Sequence, residues 1–431
     1  MTSRRDFLHR AALPALATVA FRPASLDRLT EAFAGAQGTT PAALARDEAF
    51  WREIQAAFTV DRSLVNLNNG GVSPSPAYVQ EAVAVHQAYS NKAPVYTMWQ
   101  ILEPQREGVR QRLARMFGCD AEEIALTRNA SEGLQILQNG LTLQRGDEVL
   151  TTTHDYPRMI NTYRQRERRD GIALRQFDLP VPAENPDEVV RLFEAHLTPK
   201  TKLVHMSHVV NLTGQILPVR PVVEAMRRRG IPVIVDGAHS FAHFPFTQED
   251  LGCDYFATSL HKWLFAPHGT GMLYVRKARI PEVWPLTAAE PRQDADIRKF
   301  EEIGTHPAAP YLGIAEAITF HDGIGAERKA ERLRYLKSYW VERVQGLPGV
   351  KLYTSMDPRF SCGIGTVGLE GKDPGAMASY LFQRHRIIAT PIVAPNVSGL
   401  RITPSVYTTL DELDRFADAF GRIAREGLPQ G

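Results

Sequence analysis

The sequence predicts an α/β chain with a large domain on a mostly parallel sheet, covered by helices on both faces, and a smaller α+β C-terminal domain. Three observations carry this. Between residues 124 and 275, short apolar runs alternate with helical patterns, as in strand–helix–strand crossovers. Beyond Arg279 five prolines (Pro281, Pro285, Pro291, Pro307 and Pro310) end the alternation and mark a linker. At 431 residues and 44% hydrophobic content, the chain can bury two cores.

The N-terminus reads as an address. Arg4-Arg5-Asp6-Phe7-Leu8 is followed by an apolar run, Ala11 to Phe21, too short and alanine-rich to span a membrane stably. This order resembles a twin-arginine export signal, with His9 where that pattern often has lysine. The resemblance implies that the twin-arginine (Tat) export machinery carries the folded, cofactor-loaded protein to the periplasm. Ala32-Phe33-Ala34 offers a small-residue cleavage site, which assigns residues 1–34 to the signal.

Residues 40–58 place Ala43, Leu44, Phe50, Trp51, Ile54 and Phe58 at near-helical spacing. They belong to a segment, 35–65, expected to pack with the small domain. Val65 to Pro74 is polar and glycine-rich, a loop suited to close backbone approach or to a simple turn. Residues 76–116 are helical, with breaks near Pro94 and Pro104. Ile124 to Thr127 reads as a strand, and Arg128-Asn129-Ala130-Ser131-Glu132-Gly133 opens the helix that follows. Hydroxyl and small residues there suit either an anion on the free N–H groups or a plain N-cap.

Six further strands are expected at Asp147–Thr153, Ala173–Phe177, Lys202–Met206, Val233–Val235, Tyr255–Thr258 and Met272–Val275. Helices at Arg158–Arg169, Pro186–His196 and Val219–Arg229 separate the first of them. Ligands of such sheets gather at the carboxyl ends of the strands. There the chain places Tyr156, His208 and Asn211, Asp236 and His239, then Ser259, His261 and Lys262. In the C-terminal part, helices are expected at Leu312–Phe320, Gly325–Gln345, Pro374–Arg384 and Leu410–Arg425. Short strands are expected at Val350–Tyr353, Gly363–Leu369 and Gly399–Ile402.

A strand that ends in a carboxylate, followed by one that ends in a lysine, is what pyridoxal 5′-phosphate (PLP) requires. The lysine holds the aldehyde as a Schiff base, and the carboxylate keeps the pyridine nitrogen protonated. Trp263 and Phe265 suggest an apolar surround that lowers the Lys262 pKa. A lone buried carboxylate at Asp236 needs a cationic companion, and a protonated pyridine supplies one. The 50 Lys and Arg against 48 Asp and Glu argue against a nucleic-acid binder. Cys119, Cys253 and Cys362 show neither metal-ligand nor disulfide spacing.

The segments Arg128 to Gly133, Val235-Asp236-Gly237-Ala238-His239 and Ser259-Leu260-His261-Lys262-Trp263 resemble the cofactor motifs of class V aminotransferases, which are fold type I PLP enzymes. The resemblance runs from about Asn66 to Arg425 and implies a seven-stranded large domain (66–300) and a small domain (301–431). Within the family the chain most resembles isopenicillin N epimerase-like members. An exported PLP enzyme that tailors a siderophore side chain is a further relative in type.

Carried over, Lys262 is the Schiff-base lysine, Asp236 the pyridine partner, and His239 and Asn211 neighbours of the ring oxygen. Tyr156 stacks on the ring, where several relatives place histidine. Asn129, Ala130, Ser131, Ser259 and His261 surround the phosphate, with Ala130 where many relatives have threonine. Thr305 matches a position that reaches the partner subunit's phosphate, which implies a homodimer. Arg401 matches the arginine that takes the substrate's α-carboxylate, and Asn69 and Gly70 line the mouth of the site. Pro391 to Asn396 lacks the loop cysteine of cysteine desulfurases, which argues against persulfide chemistry. The implied activity is epimerisation or transamination at an amino acid's α-carbon, with β-elimination, including C–S lysis, as an alternative. A non-catalytic binding protein on the same fold is the rival from another class.

Overall fold

The computed structural model describes residues 24–428. Arg4, Arg5 and the run from Ala11 to Phe21 lie outside them. The central sheet has seven strands: β2 (Ile124–Thr127), β3 (Glu148–Thr152), β4 (Ala173–Phe177), β5 (Thr201–Ser207), β6 (Val233–Asp236), β7 (Tyr255–Ser259) and β8 (Gly271–Val275). Their order is β2-β8-β7-β6-β5-β3-β4, with only β8 antiparallel to its neighbours. Most of these strands are buried on both faces, which is why they read as continuous apolar runs rather than alternating ones. The expected strands fall within a residue or two of the observed ones.

The small domain carries an antiparallel sheet in the order β12-β13-β10-β9, from β9 (Val350–Leu352), β10 (Gly365–Leu369), β12 (Thr390–Ala394) and β13 (Val397–Ile402). Strand β12 escapes sequence reading because Pro391 sits inside it. Its place at the sheet edge is what tolerates a residue without an N–H. A two-residue strand, β1 (Val65–Asn66), pairs in parallel with β11 (Ile387–Ile388) and ties the N-terminal segment to the small domain.

Three expectations shift. Residues 40–58 form two helices, Pro41–Leu44 and Glu48–Ala56, because the Asp47 carboxylate accepts the N–H groups of Ala49 and Phe50 and starts a new helix. The proline-rich stretch after Arg279 is no free linker but a strap of 3₁₀ turns held on the large domain. In it, buried Lys299 donates to the carbonyls of Ile280 and Asp294, and Glu301 accepts from Arg106, Arg110 and the Leu126 N–H. The helix Ala309–Ile324 packs against Ala77–Ser90 and Arg106–Phe117, so the large-domain body extends past residue 300.

The small-residue site Ala32-Phe33-Ala34 lies inside a helix, Ala24–Gly35, that is part of the folded body. Leu29 and Ala36 are buried, Phe33 meets Phe320 edge-on at 6.4 Å, and Arg328 donates to the Ala36 carbonyl. Cutting after Ala34 strips buried Leu29 and half-buried Phe33 from this contact, at a cost of about 1.5–3 kcal/mol for the leucine alone.

Candidate active site

Strand β6 delivers Asp236 and strand β7 delivers Ser259, with Lys262 in the turn between β7 and β8. That turn is fixed from beneath. The buried Trp263 indole stacks on His243 at 3.7 Å with rings 2° from parallel, and Lys329 donates to the Trp263 carbonyl at 2.6 Å. His243 donates from Nδ1 to the His239 carbonyl and accepts the Gly363 N–H at Nε2, which fixes its tautomer as neutral. Sequence reading missed both supports, because Lys329 looks like one more charge on a helix of charges.

The half-buried Lys262 points its amine at His239, with Nζ and Nε2 3.3 Å apart. Burial lowers the amine to about 8, Asp236 pulls it back up, and Arg401 pushes it further down. Burial also holds His239 well below its ordinary range, helped by the Lys262 and Arg401 charges, so its ring is neutral and Nε2 can accept from the amine. Asp236 is 5% exposed, and its Oδ1 accepts the Ala238 N–H at 2.9 Å. Burial raises its pKa, against the pull of His205, the Ala238 N–H and Lys262. Among the described residues no cation forms an ion pair with it.

Arg401, from β13, is 6% exposed and is likewise without an ion-pair partner among the described residues. It donates from Nη1 to the Asn211 carbonyl at 3.0 Å and from Nη2 to Asn68 Oδ1 at 2.9 Å. Burial lowers it to about 10, partly offset by Tyr156, whose phenol lies within electrostatic reach. Tyr156 is 37% exposed at the start of the helix Pro157–Asp170. Next to it Asp155, unnoticed in the sequence, accepts from the hydroxyls of Thr151, Thr152 and Ser207 and from the Thr152 and Ser207 N–H groups. That buried lock sets where Tyr156 stands.

At the other end of the site, Asn129 caps the helix Ala130–Gly140 by accepting the Glu132 N–H. The Ala130 N–H donates to Ser259 Oγ at 2.9 Å. That bond anchors Ser259, whose hydroxyl hydrogen stays available. No hydrogen bond among the described residues uses the Ser131 N–H or hydroxyl. His261 holds the Thr270 carbonyl through Nδ1, and burial lowers it to about 4, so its neutral ring presents an Nε2 lone pair. It can donate to an anion only after taking a second proton, which a neighbouring dianion favours. Gly271 is required here, because a Cβ on it would lie 2.6 Å from the Asn129 Cα and displace the start of the helix.

Two expected residues stand apart. Asn69 is buried, and its amide is fully used by Asn66, Tyr407 and Thr403, so it braces the loop while Gly70 packs beside Thr403 and His239. Thr305 is exposed and lines a separate cavity of about 480 Å³ with Trp99, Arg106 and His306. Within one chain it does not join the lysine.

The donor set fits PLP. A buried carboxylate without a cation suits a protonated pyridine nitrogen, a depressed amine suits an imine bond, and a capped helix start suits a phosphate. His239 Nδ1, Asn211 Oδ1 and Arg401 Nε are buried polar atoms without a protein partner, as a site built for a polar guest requires. No group of three or more His, Cys, Asp or Glu among the described residues could hold a metal.

The family model for aminotransferase class V matches residues 65–416. The chain belongs to that family. This class V protein is 31% identical over 393 residues to isopenicillin N epimerase of Streptomyces clavuligerus, covering 87% of this chain and 99% of that one. It superposes on a C-DES mutant with glycine covalently linked to its PLP cofactor with a TM-score of 0.77 at 24% identity, over 85% of this chain and 98% of that one. The complex of the cystine C–S lyase C-DES with its product cysteine persulfide gives 0.75 at 25%, over 84% and 98%. The class V protein is thus a PLP-dependent enzyme of fold type I.

The class V protein also buries Lys329, lowered to about 7, and Lys337, lowered to about 8, both chiefly by burial. With Lys262 they release protons near pH 7–8 when folded, whereas unfolded lysines hold theirs to ~10.4. The unfolded chain therefore binds more protons in this window, and stability rises with pH. Above pH 9 the gain levels off, since burial holds Cys119 and Cys253 up at about 12 and Cys362 at about 11, and it reverses once the unfolded lysines also lose their protons, above ~10. Urea midpoints should climb from pH 7 to 9, and Lys329→Met with Lys337→Met should flatten that climb.

Proposed function

We propose that this enzyme moves the α-proton of an amino acid, or of an amino-acid unit in a larger metabolite, with epimerisation as its main outcome. One observation carries the reading. A depressed lysine amine and a buried guanidinium share one site, and neither is neutralised by an ion pair. Lys262, Asp236, Ser131, Ser259 and His261 would hold PLP, which when bound would supply a cationic ring that withdraws electrons from the α-carbon.

The chain's own residues do the rest. Arg401 takes the α-carboxylate as a bidentate pair and fixes which bond faces the amine. Lys262, neutral in part near pH 8, accepts the α-proton, and His239 at 3.3 Å steadies the free amine. Asp236 preserves the positive charge opposite the lysine. Tyr156, 37% exposed, stands where bulk water reaches the site and can return a proton.

The 31% identity to an isopenicillin N epimerase supports epimerisation over transamination. β-Elimination is the second reading, supported by the likeness to a cystine C–S lyase. Persulfide transfer lacks a loop thiol: Pro391 to Asn396 forms β12 and its turn without cysteine, and Cys362 is buried against the His243 and Ala330 carbonyls. Incubating the holoenzyme with candidate amino acids in deuterated water tests the choice. Deuterium at the α-carbon with racemisation and no keto acid supports epimerisation; stoichiometric keto acid, with or without a lost β-substituent, overturns it.

We also infer export by the twin-arginine route and a homodimer. Thr305 and the exposed apolar Val95, Tyr96 and Trp99 suit a subunit contact. Replacing Arg4-Arg5 with a lysine pair should block export. The exported protein's N-terminal sequence should begin ahead of Leu29, where the packed helix is spared.

A further inference from the structure

The loop Asn68-Asn69-Gly70-Gly71 holds two asparagines with opposite uses. The Asn69 amide is consumed inside the loop by Asn66, Tyr407 and Thr403. The Asn68 side chain instead reaches outward to Arg401, with its Oδ1 accepting from Nη2 at 2.9 Å. A guanidinium can only donate, so the amide oxygen must face it and the Asn68 NH₂ must point away. The loop fixes this pose twice. The Asn68 N–H donates to Asn66 Oδ1 at 3.0 Å, and the amide lies over Gly71, where a Cβ would come within 3.2 Å of Nδ2.

Across the guanidinium, Nη1 is held by the Asn211 carbonyl at 3.0 Å, while Nε is buried without a partner. Both of the arginine's holders are neutral oxygens. They come from two loops distant in sequence, at residues 68 and 211, while Arg401 itself comes from the small domain. The arrangement orients the cation without discharging it. A carboxylate in the place of Asn68 would meet the same nitrogen as an internal anion and take the seat that an incoming carboxylate needs.

We propose that Asn68 is a positioning residue for substrate recognition: a neutral oxygen that aims Arg401 at the substrate carboxylate while leaving its charge free. This rests on Arg401 as the carboxylate site. The Asn68 amide acts only through Arg401, so it governs binding of carboxylates rather than proton transfer at Lys262.

The test uses holoenzyme and 2-methylalanine, an α-amino acid with no α-proton to lose, with binding measured by calorimetric titration. Asn68→Asp should weaken binding at least ~10-fold, with cofactor absorbance retained and the melting temperature equal to or above wild type, because an internal ion pair forms. Asn68→Ala should weaken binding by only ~3-fold, the loss of one oriented hydrogen bond. With a turned-over amino acid, both variants should raise KM and leave kcat within a few-fold. The order is diagnostic, since Asp is the closer match in shape to Asn yet should bind worse than Ala. If Asp binds as well as wild type, or better than Ala, Asn68 has only a structural part and the proposal is overturned. Arg401→Gln separates the two layers. If it binds 2-methylalanine like wild type, the carboxylate assignment itself is wrong; if it loses binding while the Asn68 variants do not, only the Asn68 inference is lost.

Discussion

In the Lys262→Ala enzyme, turnover at the α-carbon is expected to fall by ~10⁴-fold or more, the upper range for loss of a general base that also carries the cofactor. The protein itself should remain folded. Lys262 gives up hydration to reach the site, as its lowered pKa shows, so trading it for a methyl group relieves that cost. The melting temperature should therefore hold or rise while activity disappears. Rescue by small primary amines would strengthen the case, because the cavity vacated by the side chain lies beside His239. Unchanged turnover in this variant would remove the enzyme reading altogether and favour a binding protein on the same scaffold.

The second large effect belongs to Arg401. Removing one partner of a buried, hydrogen-bonded charge pair costs about 2–5 kcal/mol, so Arg401→Leu should lower kcat/KM by ~30- to ~4,000-fold. Most of this should appear in KM if the carboxylate contact is equal in the ground and transition states. Arg401→Lys should recover only part, since an ammonium cannot reproduce the planar fork. Amino-acid amides, which lack the negative charge, should be nearly indifferent to either substitution. A carboxylate substrate that is equally indifferent would show that the guanidinium serves only to bridge Asn211 and Asn68.

Much of this was legible in the chain because the chemistry sits where strands end. Asp236 closes β6 and Lys262 follows β7 by three residues, so apolar runs announce both. Arg401 lies within β13 and was reached only through resemblance, as nothing in Gly399-Leu400-Arg401-Ile402 marks it as unpaired. The supports were invisible for a common reason. His243 and Lys329 meet Trp263 across separations of tens of residues, and Asp155 is satisfied by threonines and a serine that look ordinary in sequence. The two asparagines of the loop were told apart only by their partners. The bond from the Ala130 N–H to Ser259 was equally hidden, since it joins a helix start to the end of β7 across 129 residues.

One pairing bears on how the molecule is made. Val65 of β1 finds its neighbour in Ile387 of β11, 322 residues later. At roughly 5–20 residues per second, a ribosome takes a quarter of a minute to a minute to supply it. Until then the N-terminal strand has no edge to join, and Arg401 has not been synthesised. Chaperone occupancy of the nascent N-terminal half should thus be prolonged until the segment around Ile387 has left the ribosome.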